Sequence, residues 1–364
     1  MPLQIALVGL PNVGKSTLFN ALTKSTAAAA ENFPFCTIDP NVGIVALEDE
    51  RLNALSKTAN TKRIVPETIE FVDVAGLVKG ASQGEGLGNQ FLSHIRECDA
   101  VAMVLRFFED GNVIHVHGKV DPRSDKETIE TELILADLQS AEKSLEKAKR
   151  MAKSNDKDAV KKHEILEKIV QTLLEGKRVS TIEFSDEETP LLKEFSFLTA
   201  KPFLFVANVA EDALASVDIV KAKEILGLSE SDELIPVSAK IEAELSGLSP
   251  EEAEEFLADF GIQTSGLQQL AHAAHTRLGL ARFFTAGEQE ARAWTIPSGA
   301  TAPKAAGKIH TDFEKGFIRA DVVGWKDFVD HGGWSACREK GLVRSEGKEA
   351  IIHDGDVCLF KFNV

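Results

Sequence analysis

The sequence predicts an α/β fold with a central sheet, and two observations support this prediction. Short apolar runs, typical of buried strands, alternate with helical patterns through most of the chain. In addition, the first apolar run, Ile5–Val8, is joined to a helical pattern, Leu18–Leu22, by the loop Gly9-Leu-Pro-Asn-Val-Gly-Lys-Ser-Thr17. Strand, loop and helix in this order are the context that the phosphate-loop motif G-x-x-x-x-G-K-[ST] requires.

The phosphate loop predicts binding of a nucleoside triphosphate. Gly9 and Gly14 allow backbone N–H groups to surround phosphate oxygens at the positive end of the following helix. The Lys15 ammonium can reach the β- and γ-phosphates, and the Ser16 hydroxyl can bind Mg²⁺. The residues expected to contact the phosphates are Asn12, Val13, Gly14, Lys15, Ser16 and Thr17.

Composition limits the other classes of function. The net charge of -16 argues against a general nucleic-acid-binding protein, although it leaves room for a local basic surface. The four cysteines form no C-x-x-C pair, which argues against a zinc site or a disulfide framework and fits a reducing compartment. Neither a signal peptide nor an apolar run long enough to cross a bilayer is evident. We therefore expect a cytoplasmic protein that does not contact a membrane.

Two further segments predict a Mg²⁺ and γ-phosphate site. The loop 27–40 contains Thr37, which we expect to close onto Mg²⁺; the alternative is that this hydroxyl only satisfies its own turn. The strand pattern Thr68–Asp73 ends in the sequence D-x-x-G. Asp73 is expected to hold a water of the Mg²⁺ shell, and the Gly76 N–H is expected to reach the γ-phosphate.

The residue after Gly76 departs from common GTPases. Leu77 stands where a Gln would orient the attacking water. The glycine-rich segment 78–89 that follows indicates a loop that reorganises with the nucleotide state, the alternative being a flexible surface loop. A histidine can take over the orientation of water. The candidates by residue type are His94, His115 and His117, and residue type alone does not choose among them or exclude a surface role.

A helical hairpin is predicted between Ser124 and Leu174. Two apolar stripes at helical spacing are separated by the polar segment Asn155–Asp158, which indicates an inserted antiparallel coiled coil. The stripes consist of Ile134, Leu138, Ala141, Leu145 and Ala148, and of Leu166, Ile169, Val170 and Leu173. Basic residues near the turn suggest contact with ribosomal RNA, although a solvated helix face is the more common explanation. They are Lys143, Lys147, Lys149, Arg150, Lys153, Lys157, Lys161 and Lys162.

The base-binding motif also departs from the GTPase pattern. The strand pattern 201–208 ends in Asn208-Val-Ala-Glu211, where a GTPase has N-K-x-D. That Asp accepts hydrogen bonds from guanine N1–H and N2–H₂, two donors that adenine lacks. Here Val209 replaces the Lys, and Glu211 is one methylene longer. Because a site without this pairing no longer rejects adenine, the sequence predicts ATP rather than GTP, with Ser238 and Ala239 supporting the base.

Beyond Leu280 the pattern becomes β-like and predicts a small α+β module. Asp354-Gly355 lies between two strand patterns and predicts a β-hairpin. The predicted domains are a nucleotide domain of residues 1–123 and 198–280, a helical domain of 124–197 and a C-terminal domain of 281–364. Scattered basic residues in this last domain suggest RNA contact or an ordinary charged surface. They are Lys304, Lys308, His310, Lys315 and Arg319.

Together these motifs resemble the Obg-like ATPases, and specifically the YchF branch of the translation-factor-related P-loop proteins. The resemblance extends over nearly the whole chain. The segments that carry it are Glu31–Thr37, Ala75–Gly80, Gly86–Asn89, Asn208–Glu211, Ala291–Ile296 and Ala306–Phe317. It implies a P-loop NTPase domain of Obg type, an inserted coiled-coil hairpin and a C-terminal TGS domain of ubiquitin-like shape.

The resemblance also implies an activity. Family members hydrolyse ATP slowly with Mg²⁺ and bind ribosomes, and a loop histidine matching His115 is thought to position water. The backbone of the residue matching Val209 contacts adenine, and Asn12 makes stimulation by K⁺ possible. We expect a monomer that contacts the ribosome and RNA through the hairpin tip and the TGS face. The alternatives are a GTP-hydrolysing ribosome assembly factor and a scaffold that nucleotide merely stabilises.

Overall fold

The computed structural model describes residues 3–30, 41–74, 87–109, 119–152, 157–185 and 187–363. The chain divides into two compact units. The first contains Glu70–Leu270 together with the start of the chain, and the second contains Ala46–Ile69 and Ala271–Val364. The predicted division into three domains remains a prediction.

The strands are numbered along the chain. They are β1 Leu3–Val8, β2 Val42–Leu47, β3 Ile64–Val65, β4 Glu67–Asp73, β5 Ala100–Arg106, β6 Phe203–Asn208, β7 Glu233–Val237, β8 Leu280–Ala286, β9 Ala291–Pro297, β10 Phe317–Gly324, β11 Arg344–Glu346 and β12 Asp356–Phe362. The helices are α1 Lys15–Ala30, α2 Glu50–Ala59, α3 Leu87–Glu97, α4 Pro122–Ala152, α5 Lys157–Leu174, α6 Thr189–Lys193, α7 Ile219–Leu226, α8 Ala239–Leu245, α9 Pro250–Asp259, α10 Gly266–Arg277, α11 Ala302–Ile309, α12 Thr311–Lys315, α13 Trp325–His331 and α14 Trp334–Glu339.

The first unit is built on a sheet with the strand order β2-β4-β1-β5-β6-β7. The neighbours β1 and β5, β5 and β6, and β6 and β7 are parallel. Every residue of β5 is buried, as a strand covered on both faces requires. Because β1, β5, β6 and β7 are parallel, their carboxyl ends meet at one edge of the sheet. This edge brings together the phosphate loop, Arg106, Asn208 and Ser238, and such an edge is where α/β folds bind ligands.

The helical hairpin of the first unit consists of α4 and α5. Only residues 153–156 separate these helices, so they run antiparallel. The two predicted apolar stripes are confirmed, because both face one core that also includes Val179 and Phe197. Asp137, fully buried on α4, accepts hydrogen bonds from the Leu198 and Thr199 N–H groups and so fixes the chain where it returns to the sheet. The coiled-coil character of the hairpin remains a prediction.

The second unit contains a mixed sheet with the strand order β11-β10-β12-β8-β9-β3. Helices cover both of its faces. Phe283 points to a core shared with α11 and α12, and its neighbour Phe284 points to the opposite core, shared with α2, α13 and α14. Leu52 and Leu55 of α2 are buried in this second core. No sequence pattern indicated that the segment Ala46–Ile69 belongs to this unit.

The prediction of a β-hairpin at Asp354-Gly355 is wrong. Ile351 forms only an isolated bridge, to Thr301, while β12 pairs antiparallel with β10 and parallel with β8. The Asp354 carboxylate accepts from the Arg282 N–H at 2.8 Å and pairs with Arg51, which directs the chain away from a hairpin. Among the helices that the structure describes, none is long and apolar enough to cross a membrane.

Candidate nucleotide-binding site

The phosphate loop connects β1 to α1 and has a strained backbone. Asn12 and Gly14 have positive φ angles of 65° and 94°. A Cβ on Gly14 would overlap the Asn208 side-chain amide, so both the backbone angle and the close approach call for glycine. The Leu18 N–H donates to the Gly14 carbonyl at 3.0 Å, and α1 therefore begins directly after the loop. Because the first N–H groups of any α-helix have no partner within the helix, the start of α1 next to the loop is suited to an anion.

Asn208 links three segments of the site. Its Nδ2 atom donates to the Val13 carbonyl at 2.7 Å, and its Oδ1 atom accepts from the Ala239 N–H at 3.0 Å. The side chain is 3% exposed, so both hydrogen bonds are shielded from water. Asn208 therefore fixes the phosphate loop against the loop that precedes α8. Val13 itself is buried, and its carbonyl is the group that Asn208 bonds.

Arg106 was not predicted and lies beneath the loop. Its side chain is 1% exposed, although it ends an otherwise apolar strand. Nη1 donates to the Asn12 carbonyl at 3.3 Å, Nε donates to the Phe108 carbonyl at 3.0 Å, and the guanidinium carbon lies 4.7 Å from the centre of the Phe108 ring. A single basic residue at the carboxyl end of a strand beside the phosphate loop was the available signal. Its hydrogen bonds place Arg106 in the support of the phosphate loop.

Lys15 and Asp73 form an ion pair beside the phosphate loop. The Lys15 ammonium bonds one carboxylate oxygen of Asp73, and the side chains are 8% and 24% exposed. The sequence assigned Lys15 to the phosphates and Asp73 to the Mg²⁺ shell. The structure brings these two side chains together at the end of β4.

The opposite end of the site contains a second ion pair. Lys240 Nζ lies 2.5 Å from Glu211 Oε2, and Glu211 is 30% exposed. The Val209 N–H donates to the Val237 carbonyl at 2.9 Å, so it is engaged within the protein. Glu211 therefore carries a positively charged partner at the position where a GTPase presents a free carboxylate.

These residues line one cleft of about 1200 Å³. The predicted residues that line it are Asn12, Gly14, Lys15, Ser16, Thr17, Asn208, Val209, Glu211, Ser238 and Ala239. Lining residues outside the predicted set of site residues are Leu10, Pro11, Phe108, Glu109, Ala210, Asp212 and Lys240. Ala210, Asp212 and Lys240 each directly follow a predicted residue, and Pro11 directly precedes one. This proximity is the signal that could have found these four.

Several predicted residues lie outside the described part of the chain. They are Thr37, Gly76, Leu77, His115 and His117. Within the described residues, no group of three or more His, Cys, Asp or Glu side chains can hold a metal ion.

Comparison with known proteins identifies the family. A model described as "50S ribosome-binding GTPase" matches residues 4–208, and a model of the C-terminal domain of YchF GTPases, described as a protein of unknown function, matches residues 280–363. The "Ribosome-binding ATPase YchF" of Bacillus subtilis (strain 168) is 52% identical over 368 residues, which cover 100% of both chains. The chain belongs to the YchF family.

Other YchF proteins agree with this assignment. The "Ribosome-binding ATPase YchF" of Escherichia coli O157:H7 is 49% identical, with 100% of both chains covered. The solved structure of the YchF GTPase from Schizosaccharomyces pombe has a TM-score of 0.88 at 38% identity and covers 99% of this chain and 97% of that chain. The resemblance seen in the sequence and the predicted α/β P-loop fold are thus confirmed. The names of these three relatives differ on the nucleotide, since two say ATPase and the third says GTPase.

Proposed function

We propose that this chain is a ribosome-binding ATPase that hydrolyses ATP slowly with Mg²⁺. The observation that carries the choice of ATP is the sequence Asn208-Val-Ala-Glu211 at the base end of the cleft, which departs from the N-K-x-D motif that GTPases use to recognise guanine. The relatives at 52% and 49% identity that are named ribosome-binding ATPases support the same activity.

At the phosphate end, the side chains present suit a bound Mg²⁺–triphosphate. Ser16 is exposed in the cleft and supplies a hydroxyl ligand, and Thr37 is proposed as the second protein ligand. An incoming triphosphate offers Lys15 a more highly charged partner than Asp73. Its transfer to the phosphates would free the Asp73 carboxylate to accept from a metal-bound water. When bound, Mg²⁺ neutralises charge on the β- and γ-phosphates.

At the base end, adenine suits the groups that remain. Since the Val209 N–H is bonded to Val237, the carbonyl of Val209 is the group through which this peptide can accept from the adenine amino group. The Asn208 side chain positions Val13 and Ala239 through its two hydrogen bonds, and we expect backbone groups next to it to contact the base. Ser238 and Ala239 border the base from the other side of the cleft.

Paired measurement of ATP and GTP affinity tests this proposal. We expect the wild-type protein to bind ATP more tightly than GTP in the presence of Mg²⁺. Lys15→Ala should abolish measurable hydrolysis, because it removes the cation that faces the developing charge. Lys24→Ala, at an exposed position on the same helix, is the matched control and should behave as wild type. Tighter binding of GTP would instead support a GTP-hydrolysing assembly factor.

For the attacking water we propose His115, since Leu77 has no group that can orient it. His115→Ala should leave the Kd for ATP within about twofold and lower kcat by roughly 100-fold or more. His94→Ala is the matched control because His94 is exposed on α3. An unchanged kcat in His115→Ala would remove this residue from the mechanism. Hydrolysis in KCl and in NaCl at equal ionic strength tests the role of Asn12 in K⁺ stimulation.

Ribosome contact through the hairpin tip and the C-terminal unit, with the chain as a monomer, is also proposed. Two of the basic residues near the tip are engaged, since Lys161 pairs with Glu187 and Lys162 pairs with Glu194, each at 2.7 Å. RNA contact at the hairpin therefore depends chiefly on the other lysines. Co-sedimentation of Lys15→Ala with ribosomes separates a switch from a scaffold: equal sedimentation in every nucleotide state would support the scaffold.

A further inference from the structure

The ion pair at the base end joins two segments that the fold holds side by side. Glu211 begins the short 3₁₀ helix Glu211–Ser216, which follows β6, and Lys240 is the second residue of α8, which follows β7. β6 and β7 are parallel neighbours, with Asn208 paired to Val237 at the edge of the sheet. The Val209 N–H bond to Val237 continues this connection by one residue. The backbone thus brings Glu211 and Lys240 to the same side of the cleft.

The contact is close and lies at the surface. Lys240 Nζ is 2.5 Å from Glu211 Oε2, and the Lys240 side chain is 69% exposed. The Glu211 carboxylate raises the pKa of Lys240 through their hydrogen bond, so the lysine is charged at neutral pH. Both residues line the cleft together with Asp212 and Ser238.

A guanine recognised by a carboxylate donates N1–H and N2–H₂ to its two oxygens. Adenine has no corresponding pair of donors. A lysine beside the carboxylate competes with guanine for its oxygens and, being itself a donor, is repelled by the guanine donors. The same lysine does not remove any acceptor that adenine needs.

We propose that Lys240 contributes to nucleotide specificity, because its pairing with Glu211 withdraws from guanine the carboxylate at the position of the GTPase aspartate. This inference rests on the proposed preference for ATP and names a residue that strengthens it. On this view, the extra methylene of Glu211 is not the whole reason that guanine loses this partner. The Glu211 carboxylate could accept hydrogen bonds from guanine, but Lys240 competes for it.

The size of the effect follows from the exposure of the pair. Measured couplings of exposed ion pairs correspond to about 1.4- to 5-fold in an equilibrium constant. Removal of the Lys240 charge should therefore raise GTP affinity by up to about fivefold and leave ATP affinity within about twofold. The ratio of the two affinities is the quantity that changes.

The test is a double-mutant cycle on the full chain, with Kd for ATP and GTP measured by calorimetry in Mg²⁺. Lys240→Met should raise GTP affinity as stated, and Glu211→Gln should leave it within about twofold. The double variant should lose the gain, because the released carboxylate is then absent. Lys221→Met is the matched control, since Lys221 is exposed on α7 and does not line the cleft.

Two outcomes overturn the inference. One is an unchanged ratio of ATP to GTP affinity in Lys240→Met, and the other is a gain that persists in the double variant. Either result leaves the proposed ATPase function intact as long as the wild-type protein prefers ATP. A wild-type protein that prefers GTP would contradict the proposed function itself, whatever Lys240→Met does.

Discussion

Asn208 offers the sharpest test of how the cleft is assembled. Its amide makes hydrogen bonds of 2.7 Å to the Val13 carbonyl and 3.0 Å from the Ala239 N–H, in a position that is 3% exposed. Asn208→Ala removes both bonds and leaves two buried backbone groups without these partners. Because Val13 belongs to the phosphate loop and Ala239 to the base loop, both ends of the cleft lose the same support.

The expected loss of stability follows from the two backbone groups that lose their hydrogen-bond partner. A buried donor or acceptor that loses its partner costs about 1–3 kcal/mol, so the two together cost about 2–6 kcal/mol. A domain is typically stable by about 5–15 kcal/mol, which makes this a large fraction of the total. ATP affinity should fall by at least about tenfold, since the loop N–H groups must be ordered again on binding. Asn53→Ala is the matched control, because Asn53 is exposed on α2.

The assay can separate the two units. All three tryptophans of the chain, Trp294, Trp325 and Trp334, lie in the second unit, so their emission follows that unit during urea unfolding. Far-UV circular dichroism follows both units, and a fluorescent ATP analogue follows the cleft. For Asn208→Ala we expect a lower urea midpoint by circular dichroism, with a smaller change in the tryptophan transition.

A small effect on both stability and ATP affinity would refute a supporting role of Asn208 in the cleft. If Asn208→Ala loses less than about 0.5 kcal/mol of stability and binds ATP within twofold of wild type, the amide does not support the cleft. A stability loss without any change of affinity would assign Asn208 to the fold alone.

Three further predictions concern other buried groups. Arg106→Ala should weaken ATP binding by roughly 1–3 kcal/mol, about 5- to 150-fold, because the Asn12 carbonyl loses a buried donor; calorimetry checks this. Burial raises the pKa of Glu242 from 4.5 to about 7, although hydrogen bonds from Gly266 and its neighbours lower it. The folded state therefore binds the proton more tightly, and stability should fall by about 3 kcal/mol as pH rises from 4.5 to 7, a slope that urea titrations of Glu242→Gln should lack. Leu52→Ala, at a site 2% exposed, should destabilise the second unit by about 2–5 kcal/mol in the tryptophan transition and leave ATP affinity unchanged.

The phosphate end of the cleft could be predicted because its chemistry is local in sequence. Residues 9–17 provide the loop, the lysine and the hydroxyl in one continuous segment, and the flanking patterns reveal the strand and the helix. Asp73 was found because it ends a recognisable strand. The ion pair between Lys15 and Asp73 could not be found in this way, because it depends on how two strands of the sheet are placed.

For a related reason, the sequence could not predict which segments of the chain form the second unit. The apolar residues of α2 indicate a helix that packs against a hydrophobic core, but they do not indicate which sheet provides that core. Burial of Leu52 and Leu55 against the C-terminal sheet is accompanied by ion pairs of Asp49 with Arg282 and of Arg51 with Asp354, all distant in sequence. The hairpin expected at Asp354-Gly355 failed for the same reason, since turn chemistry is local whereas the choice of a partner strand is not.

The base end of the cleft could be predicted only in part. Comparison with N-K-x-D shows that Glu211 is longer than the expected Asp and that Val209 lacks a charge, and from these differences the sequence infers loss of guanine recognition. It does not show that the carboxylate has acquired a new partner 29 residues away. That partner changes the explanation, because a longer side chain that merely misplaces its carboxylate would be unaffected by a substitution at Lys240. A carboxylate held by competition would respond to it. Specificity would then be a property of a pair of residues on neighbouring strands, and neither position read alone would reveal it.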